Sequence, residues 1–432
     1  MIFQPPKGTK DFWGTDFYLR QDLANKVLKV METYGFRQAL TPMFESLELL
    51  AKDAGEEVTG QIYRITDKAG REFGLKSDIT PAITRIVANQ GKSQIKPIKI
   101  SCFDRVYRYE RPQKGRYREI SQVNAEMFGV KSAVSDAELI RCLYDCYKAM
   151  ALNEIKIIIG YRPLLESFIS DLTSTENVLP VIRLIDKKNK IEEQEFIDQL
   201  KKLELTAESV MKIQKFISLS GNVNQMITQA KELCADSSSN QKYFDNLKQI
   251  WDALEDYEVA AFCELNLGLA RGSDYYTGII FEVQYPEIKN IGSIGGGGRY
   301  DNLVEFYGGP KTPAVGFSIG INRIMDLLEI LNKGTANVPT YDYYIASESN
   351  PHTTSVTRKL ATTLRSKGLN VEVNLTNEFL SDQIVAAKKR DASFLILIKE
   401  DDLKQGSVKL IDLKTGQEEA VAEVNGFLIN KI

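Results

Sequence analysis

Histidine is almost missing from this chain: among 432 residues there is one, His352. It lies far along the chain from the stretches described below. That excludes a Ser-His-Asp triad built around them and argues against a zinc site there. Cysteine is also scarce. The five thiols (Cys102, Cys142, Cys146, Cys234, Cys263) are scattered, which suggests reduced cysteines and not a disulfide framework. Cys142 and Cys146 sit one helical turn apart, but no further Cys or His completes a tetrahedral metal set, so they read as a buried helix face. The N-terminus lacks a hydrophobic signal core, and no apolar run approaches membrane-spanning length. A soluble, cytoplasmic protein without membrane attachment is expected. Excess positive charge is lacking too. With a net charge of -3, any nucleic-acid contact must rest on local basic clusters.

Apolar content of 43% and charged content of 26% are those of an ordinary globular protein, and the length calls for two or three domains. Two stretches stand out. Between Arg105 and Arg118 the chain packs five arginines and a lysine into fourteen residues, and Gln122 and Glu126 follow, four apart. Arginine suits phosphate because its planar fork donates two parallel charge-assisted hydrogen bonds. The second stretch runs Leu269-Ala-Arg271-Gly-Ser-Asp274-Tyr275-Tyr276-Thr-Gly278. A polyphosphate held beside a small polar molecule points to activation of that molecule by a nucleotide. Two false signals can be set aside. Gly91-Lys92-Ser93 ends like a P-loop, but Ile86 stands where the first glycine is required. The run Gly295–Gly298 lacks the spacing of a dinucleotide fingerprint. It reads instead as backbone lying close to a ligand.

Apolar spacing predicts a helix from Asp16 to Tyr34, with Asp16 as its N-cap and Gly35 as its stop. Phe36 to Pro42 reads as a strand. Gly74 to Pro81 reads as a strand entering a turn. Lys99 to Arg108 and Ile120 to Gly129 read as two strands flanking the basic loop Glu110 to Glu119, which places its cations over whatever the strands bind. A helix is expected from Asp136 to Leu152. Amphipathic helices then dominate, including Lys187 to Leu203 and Ala207 to Ile217, with a polar loop at Ala235 to Asn240. After Cys263 the chain returns to glycine-rich strands. Beyond a linker near Asn332 to Thr340, strands (Tyr341–Ser347, Val371–Leu375, Phe394–Ile398) alternate with helices (Thr354–Lys367, Leu380–Arg390), as in a small α/β domain.

The arginine-rich stretch resembles the second motif of class II aminoacyl-tRNA synthetases, and its Arg-Tyr-Glu-Arg-Pro-Gln-Lys-Gly-Arg-Tyr-Arg run is similar to that of the histidyl-tRNA synthetase family. The Arg271 stretch resembles that family's first histidine-specific peptide, and Gly295 to Asp301 the second. Gly316 to Arg323 resembles the third class II motif, and the Asp16 to Pro42 helix and strand resemble the first, which forms the dimer interface in that family. The four histidyl segments fall in family order. The resemblance implies an α+β fold, with a class II synthetase-like antiparallel sheet flanked by helices, a helical insertion and a C-terminal α/β domain. Its expected parts are a catalytic domain at 1–160 and 258–331, an insertion at 161–257, a linker at 332–340 and an anticodon-binding-like domain at 341–432. It implies ligation of L-histidine to tRNA(His) through an adenylate, with ATP as substrate, Mg²⁺ on the phosphates and no protein-only metal site, in a homodimer.

By family position, Arg108 meets the α-phosphate and Arg116 the β- and γ-phosphates. Arg323 lies on the other side of the nucleotide, and Arg271 stabilises the transition state. Glu126 and Tyr276 read the imidazole, Asp78 and Thr80 hold the ammonium group, Gln122 meets the carboxylate, and Tyr300 lines the pocket. Ile120 stands where an adenine-stacking aromatic is common, and Lys76 where arginine is frequent. The competing resemblance is to the histidine-sensing regulatory subunit of ATP phosphoribosyltransferase. That reading expects eroded ATP arginines and no C-terminal domain.

Overall fold

The two strands around the basic loop form the centre of the molecule. β5 (Ile98–Tyr107) and β6 (Glu119–Phe128) pair antiparallel over ten residues, from Ile98 opposite Phe128 to Tyr107 opposite Glu119. They begin and end within a residue or two of the predicted bounds, because alternating side chains mark a strand clearly. This computed structural model describes residues 3–51, 59–110, 117–234, 240–271, 274–336, 338–376 and 378–422. The polar loop at 235–239 and most of the basic loop lie outside them.

The chain forms two compact units, Met1–Ala336 and Asn337–Ile432. In the first, β2 (Phe44–Ser46), β3 (Arg64–Thr66) and β4 (Glu72–Leu75) form a small sheet of their own, while β1 (Arg37–Gln38), β7 (Lys156–Tyr161), β8 (Ser220–Gly221), β9 (Cys263–Asn266), β10 (Ile279–Gln284), β11 (Gly295–Arg299) and β12 (Ala314–Gly320) join β5 and β6. The nine-stranded order is β1-β5-β6-β12-β11-β10-β7-β9-β8. From β5 to β7 every pairing is antiparallel, and the two parallel pairings lie toward the ends. Alternation along β6 divides its faces. Val123, Ala125 and Met127 enter the main core with the helices Thr15–Thr33 and Ala133–Ala149. Gln122, Asn124 and Glu126 therefore share the opposite face. A second, smaller apolar cluster there includes Ile79, Tyr276, Ile280 and Tyr300.

Several expectations are corrected. The N-cap of the first helix is Gly14, with φ of 56°, and Asp16 falls in the first turn. There its carboxylate favours the helix dipole and pairs with Lys10 at 2.7 Å. The strand predicted over Phe36 to Pro42 shrinks to two residues pairing with β5, since beyond it Pro42 cannot donate to a ladder. The helix predicted from Lys187 to Leu203 is broken. Thr175–Lys187 ends in a tight turn at Lys188–Lys190, and Glu193–Lys202 starts afresh. The run Lys187-Lys188-Asn189-Lys190 offers no apolar side chain to continue a buried stripe, and its like charges repel. A helix not foreseen, Thr80–Gln90, follows directly after Asp78, with Pro81 in its first turn.

The helices between Arg162 and Asp256 bury their apolar faces in the same core as the large sheet, and β8 within this segment pairs with β9. In the second unit, β14-β13-β15-β16-β17 form one sheet: β13 (Tyr343–Ser347), β14 (Val371–Val373), β15 (Phe394–Ile398), β16 (Ser407–Asp412) and β17 (Glu418–Ala422). Tyr343, Ile345 and Ile396 pack with Leu360 and Leu364 of the helix Pro351–Ser366. Tyr344, Leu395 and Leu397 pack with Ala387 of the helix Leu380–Lys389 on the other face. The unit is thus a three-layer α/β structure. Among the described residues no helix is long and apolar enough to cross a membrane.

Candidate active site

Glu126 lies at the bottom of the polar face of β6 and is wholly buried. Its Oε1 accepts from Thr80 Oγ1 at 2.6 Å and from Asn124 Nδ2 at 3.0 Å. Its Oε2 accepts from the Tyr300 hydroxyl. Burial pushes the Glu126 carboxyl up to about 7 against the pull of these three hydrogen bonds. A carboxylate offers about four acceptor positions. Three are taken, and the open one is on Oε2.

The sequence brings this about through neighbouring elements. Thr80 opens the helix Thr80–Gln90, and Asp78 stands just before it. Asp78 Oδ1 accepts from the backbone N–H groups of Ile79 at 2.6 Å and Thr80 at 3.4 Å, which the helix start would otherwise leave without partners. It also accepts from Gln122 Nε2 at 3.0 Å. Among the described residues Asp78 Oδ2 accepts no hydrogen bond. The strip beside Glu126 is bare. Gly316 is its register partner on β12, and a Cβ on Gly316 would overlap Glu126 Oε2. The Tyr276 ring lies over Gly298, the next residue of the same row on β11. Tyr275 packs against both Tyr276 and Tyr300, with ring centroids 4.8 and 5.7 Å away.

The arginines approach from separate parts of the chain. Arg271 Nη1 donates to the Phe281 carbonyl at 3.0 Å and lies 3.6 Å from Glu282 Oε1. It covers Gly296, where a Cβ would strike the guanidinium. Burial opposes its charge, but Tyr276, Glu282, Tyr275 and Asp78 together more than offset this and hold its pKa above the ordinary arginine value. Arg108 donates from Nε to the Ser77 carbonyl at 2.9 Å, one residue from Asp78. Arg323 donates to the Ser293 carbonyl, three residues before Gly296, and so lies within roughly 10 Å of backbone from the strip under Arg271. Asp78, Thr80, Gln122, Glu126, Tyr276, Tyr300 and Arg271 thus gather on one face, with Arg108 and Arg323 at its margins. Arg116 lies outside the described residues. The loop's return side is anchored, since Tyr117 donates to Asp326, three residues after Arg323 on the helix Ile321–Ile330, at 2.8 Å.

Sequence reading passed over Asn124, which joins Gln122, Thr80 and Glu126. The signal for it was the alternation 122, 124, 126 along one strand. It also passed over the partners of Lys76. This lysine is fully buried and donates to Asp104, and to Thr41 Oγ1 at 3.0 Å, as a structural tie beneath the site. Ile120 packs partly buried against the smaller apolar cluster. Among the described residues no group of three or more His, Cys, Asp or Glu side chains is placed to hold a metal ion.

An antiparallel sheet flanked by helices, with arginines and a polar pocket across its central strands, is the catalytic fold of a class II aminoacyl-tRNA synthetase. The family model described as histidyl-tRNA synthetase matches residues 8–324, and that described as an anticodon binding domain matches residues 344–426. The histidine–tRNA ligase of Pyrococcus furiosus is 36% identical over 96% of this chain and 95% of its own. The crystal structure of histidyl-tRNA synthetase from Nostoc sp. PCC 7120 superposes with a TM-score of 0.78 at 25% identity, over 98% of this chain and 97% of that one. A Bacillus halodurans structure titled as an ATP phosphoribosyltransferase regulatory subunit/histidyl-tRNA synthetase shares the fold, at 20% identity and a TM-score of 0.76, over 92% of this chain and 99% of that one. The chain belongs to the histidyl-tRNA synthetase family.

Proposed function

We propose that this face carries the two-step ligation of L-histidine to tRNA(His). The substrate carboxylate attacks the α-phosphorus of ATP, pyrophosphate leaves, and the adenylate then passes histidine to the tRNA 3′ end. The observation that carries the reading is Glu126, a buried carboxylate with one acceptor position left, beside a charged Arg271. The open position on Glu126 Oε2 takes an imidazole N–H, with Tyr276 alongside. Asp78, with Oδ2 unused, receives the ammonium group together with Thr80. Tyr300 closes the pocket and fixes Glu126. Arg108 and Arg271 meet the charge that develops at the α-phosphate, and Arg116 and Arg323 hold the remainder of the triphosphate. In-line displacement at phosphorus asks mainly for positioning and cations, which these residues supply. Mg²⁺ enters with the triphosphate and neutralises part of its charge.

Residues 1–160 and 258–331 form the catalytic domain, 161–257 a helical insertion toward the tRNA acceptor end, 332–340 a linker, and 341–432 the anticodon-binding domain. The enzyme acts as a cytoplasmic homodimer. The regulatory-subunit reading is disfavoured by Arg108, Arg116, Arg271 and Arg323 all being present and by the anticodon-domain match at 344–426. Pyrophosphate exchange across all twenty amino acids tests the proposal. Exchange with histidine alone is expected, and exchange led by another amino acid would overturn it.

A further inference from the structure

Asn124 has no part in the reading above, yet it is wholly buried and both ends of its amide are engaged. Its Nδ2 donates to Glu126 Oε1 at 3.0 Å and to Thr80 Oγ1 at 3.2 Å, while its Oδ1 accepts from Gln122 Nε2 at 2.7 Å. Gln122 Nε2 directs its other hydrogen to Asp78 Oδ1 at 3.0 Å. The result is a line of four side chains, Asp78, Gln122, Asn124 and Glu126, with a carboxylate at each end and two amides between.

Such a line has one consistent orientation. A carboxylate accepts only, so the amide next to it must turn its NH₂ inward. Glu126 therefore sets Asn124, whose Oδ1 then demands the NH₂ of Gln122, and Asp78 demands the same. Rotating either amide by half a turn would set oxygen against oxygen. Both hydrogens of Gln122 are consumed, and among the described residues its Oε1 accepts no hydrogen bond. Gln122 thus offers the pocket an acceptor, which suits the substrate ammonium better than the carboxylate expected from family position.

We propose that Asn124 is a positioning residue for histidine activation: it locks the Gln122 amide with its oxygen toward the substrate and helps hold Glu126 as the imidazole acceptor. This rests on the histidine pocket described under the proposed function. Other groups face the line as well. Tyr300, Tyr276 and Cys102 are pushed upward by burial and remain neutral near neutrality. Arg271 remains charged, and Asp104, the register partner of Gln122, is tied to Lys76. Of these groups, Glu126, which burial pushes up to about 7, is the one whose protonation changes between about pH 6 and pH 8.5.

The test is pyrophosphate exchange with Asn124→Leu and Asn124→Asp, read as KM for histidine and for ATP against wild type at each pH. Asn124→Leu breaks the line at every pH, and histidine KM is expected to rise about tenfold, the weight of one buried hydrogen bond, with ATP KM little changed. Asn124→Asp preserves the line only while its carboxyl carries a proton toward Glu126. Its histidine KM should approach wild type near pH 6 and rise about tenfold by pH 8.5. A purely structural asparagine would give no such pH split. If Asn124→Leu does not fold, Asn124→Asp decides alone. A histidine KM in Asn124→Asp that tracks wild type across the range, or equal losses for histidine and ATP, would overturn the proposal. Glu126→Gln, run alongside, separates the two readings. Unchanged histidine binding there sinks the pocket itself, whereas a loss there with wild-type behaviour in the Asn124 variants sinks only the role of Asn124.

Discussion

Replacing Glu126 by glutamine should stabilise the protein while damaging it as an enzyme, and only above a certain pH. Burial raises the Glu126 carboxyl from an ordinary 4.5 to about 7. A carboxyl with a raised folded pKa adds stability that is whole below the unfolded value and is lost as pH rises through the folded one. The window is therefore about pH 4.5 to 7. A shift of this size corresponds to about 3 kcal/mol of destabilisation once the group is ionised in both states. Glutamine keeps an oxygen for Thr80 and Asn124 but sets an NH₂ against the Tyr300 hydroxyl, which must turn and lose its acceptor. That returns about 1 kcal/mol or more, leaving a net gain of about 1–2 kcal/mol. Thermal melts of wild type and variant near pH 5 and pH 8.5 would read this as a melting difference that moves by a few degrees in the variant's favour at the higher pH. Calorimetry near pH 8 should show histidine affinity at least tenfold weaker in the variant, because an imidazole N–H would then face an NH₂. A melting difference that is the same at both pH values would refute the account of Glu126 as a carboxylate held charged against its surroundings.

Arg271→Ala should slow histidine-dependent pyrophosphate exchange by about two to three orders of magnitude with little effect on histidine affinity; unchanged exchange would remove Arg271 from the reaction. Gly316→Ala forces a methyl group onto Glu126 Oε2, so histidine binding by calorimetry should fall below detection while circular dichroism stays near wild type. Normal affinity would show that Glu126 is not the acceptor. Deleting the chain from Tyr341 onward should spare adenylate formation and impair tRNA charging, and equal loss of both would contradict the domain assignment. Lys76→Met should cost about 1–3 kcal/mol in denaturant unfolding by leaving the partly exposed Asp104 and Thr41 without their buried donor; no measurable loss would mean that water or another group replaces it.

Legibility followed locality. β5, β6 and the helix Ala207–Ile217 could be read from their periodicity, and the strand Phe394–Ile398 from its short unbroken apolar run. The helix Thr80–Gln90 could not, since its β-branched residues and Pro81 resemble a strand running into a turn. The break at Lys188–Lys190 was hidden inside a polar run. At the site, strand alternation told which residues of β6 share a face, and motif order told which arginines to look for. It could not tell that Gln122 answers to Asp78, 44 residues away, or that Tyr300 donates to Glu126 from 174 residues on. The Tyr300 contact depends on β12 lying between β6 and β11, and the Asp78 contact on where the helix Thr80–Gln90 starts, which are properties of the fold and not of any segment.

The bare central strip has a practical cost for anyone wishing to harden this protein against heat. Glycines inside strands forfeit roughly 0.5–1 kcal/mol each relative to alanine, and swapping them is a routine first step in raising thermal tolerance. At Gly296 and Gly316 that step is closed, because the added methyl would land on a guanidinium or a carboxylate. At these two positions stability is given up to keep the strip bare, and glycine replacement has to be sought elsewhere.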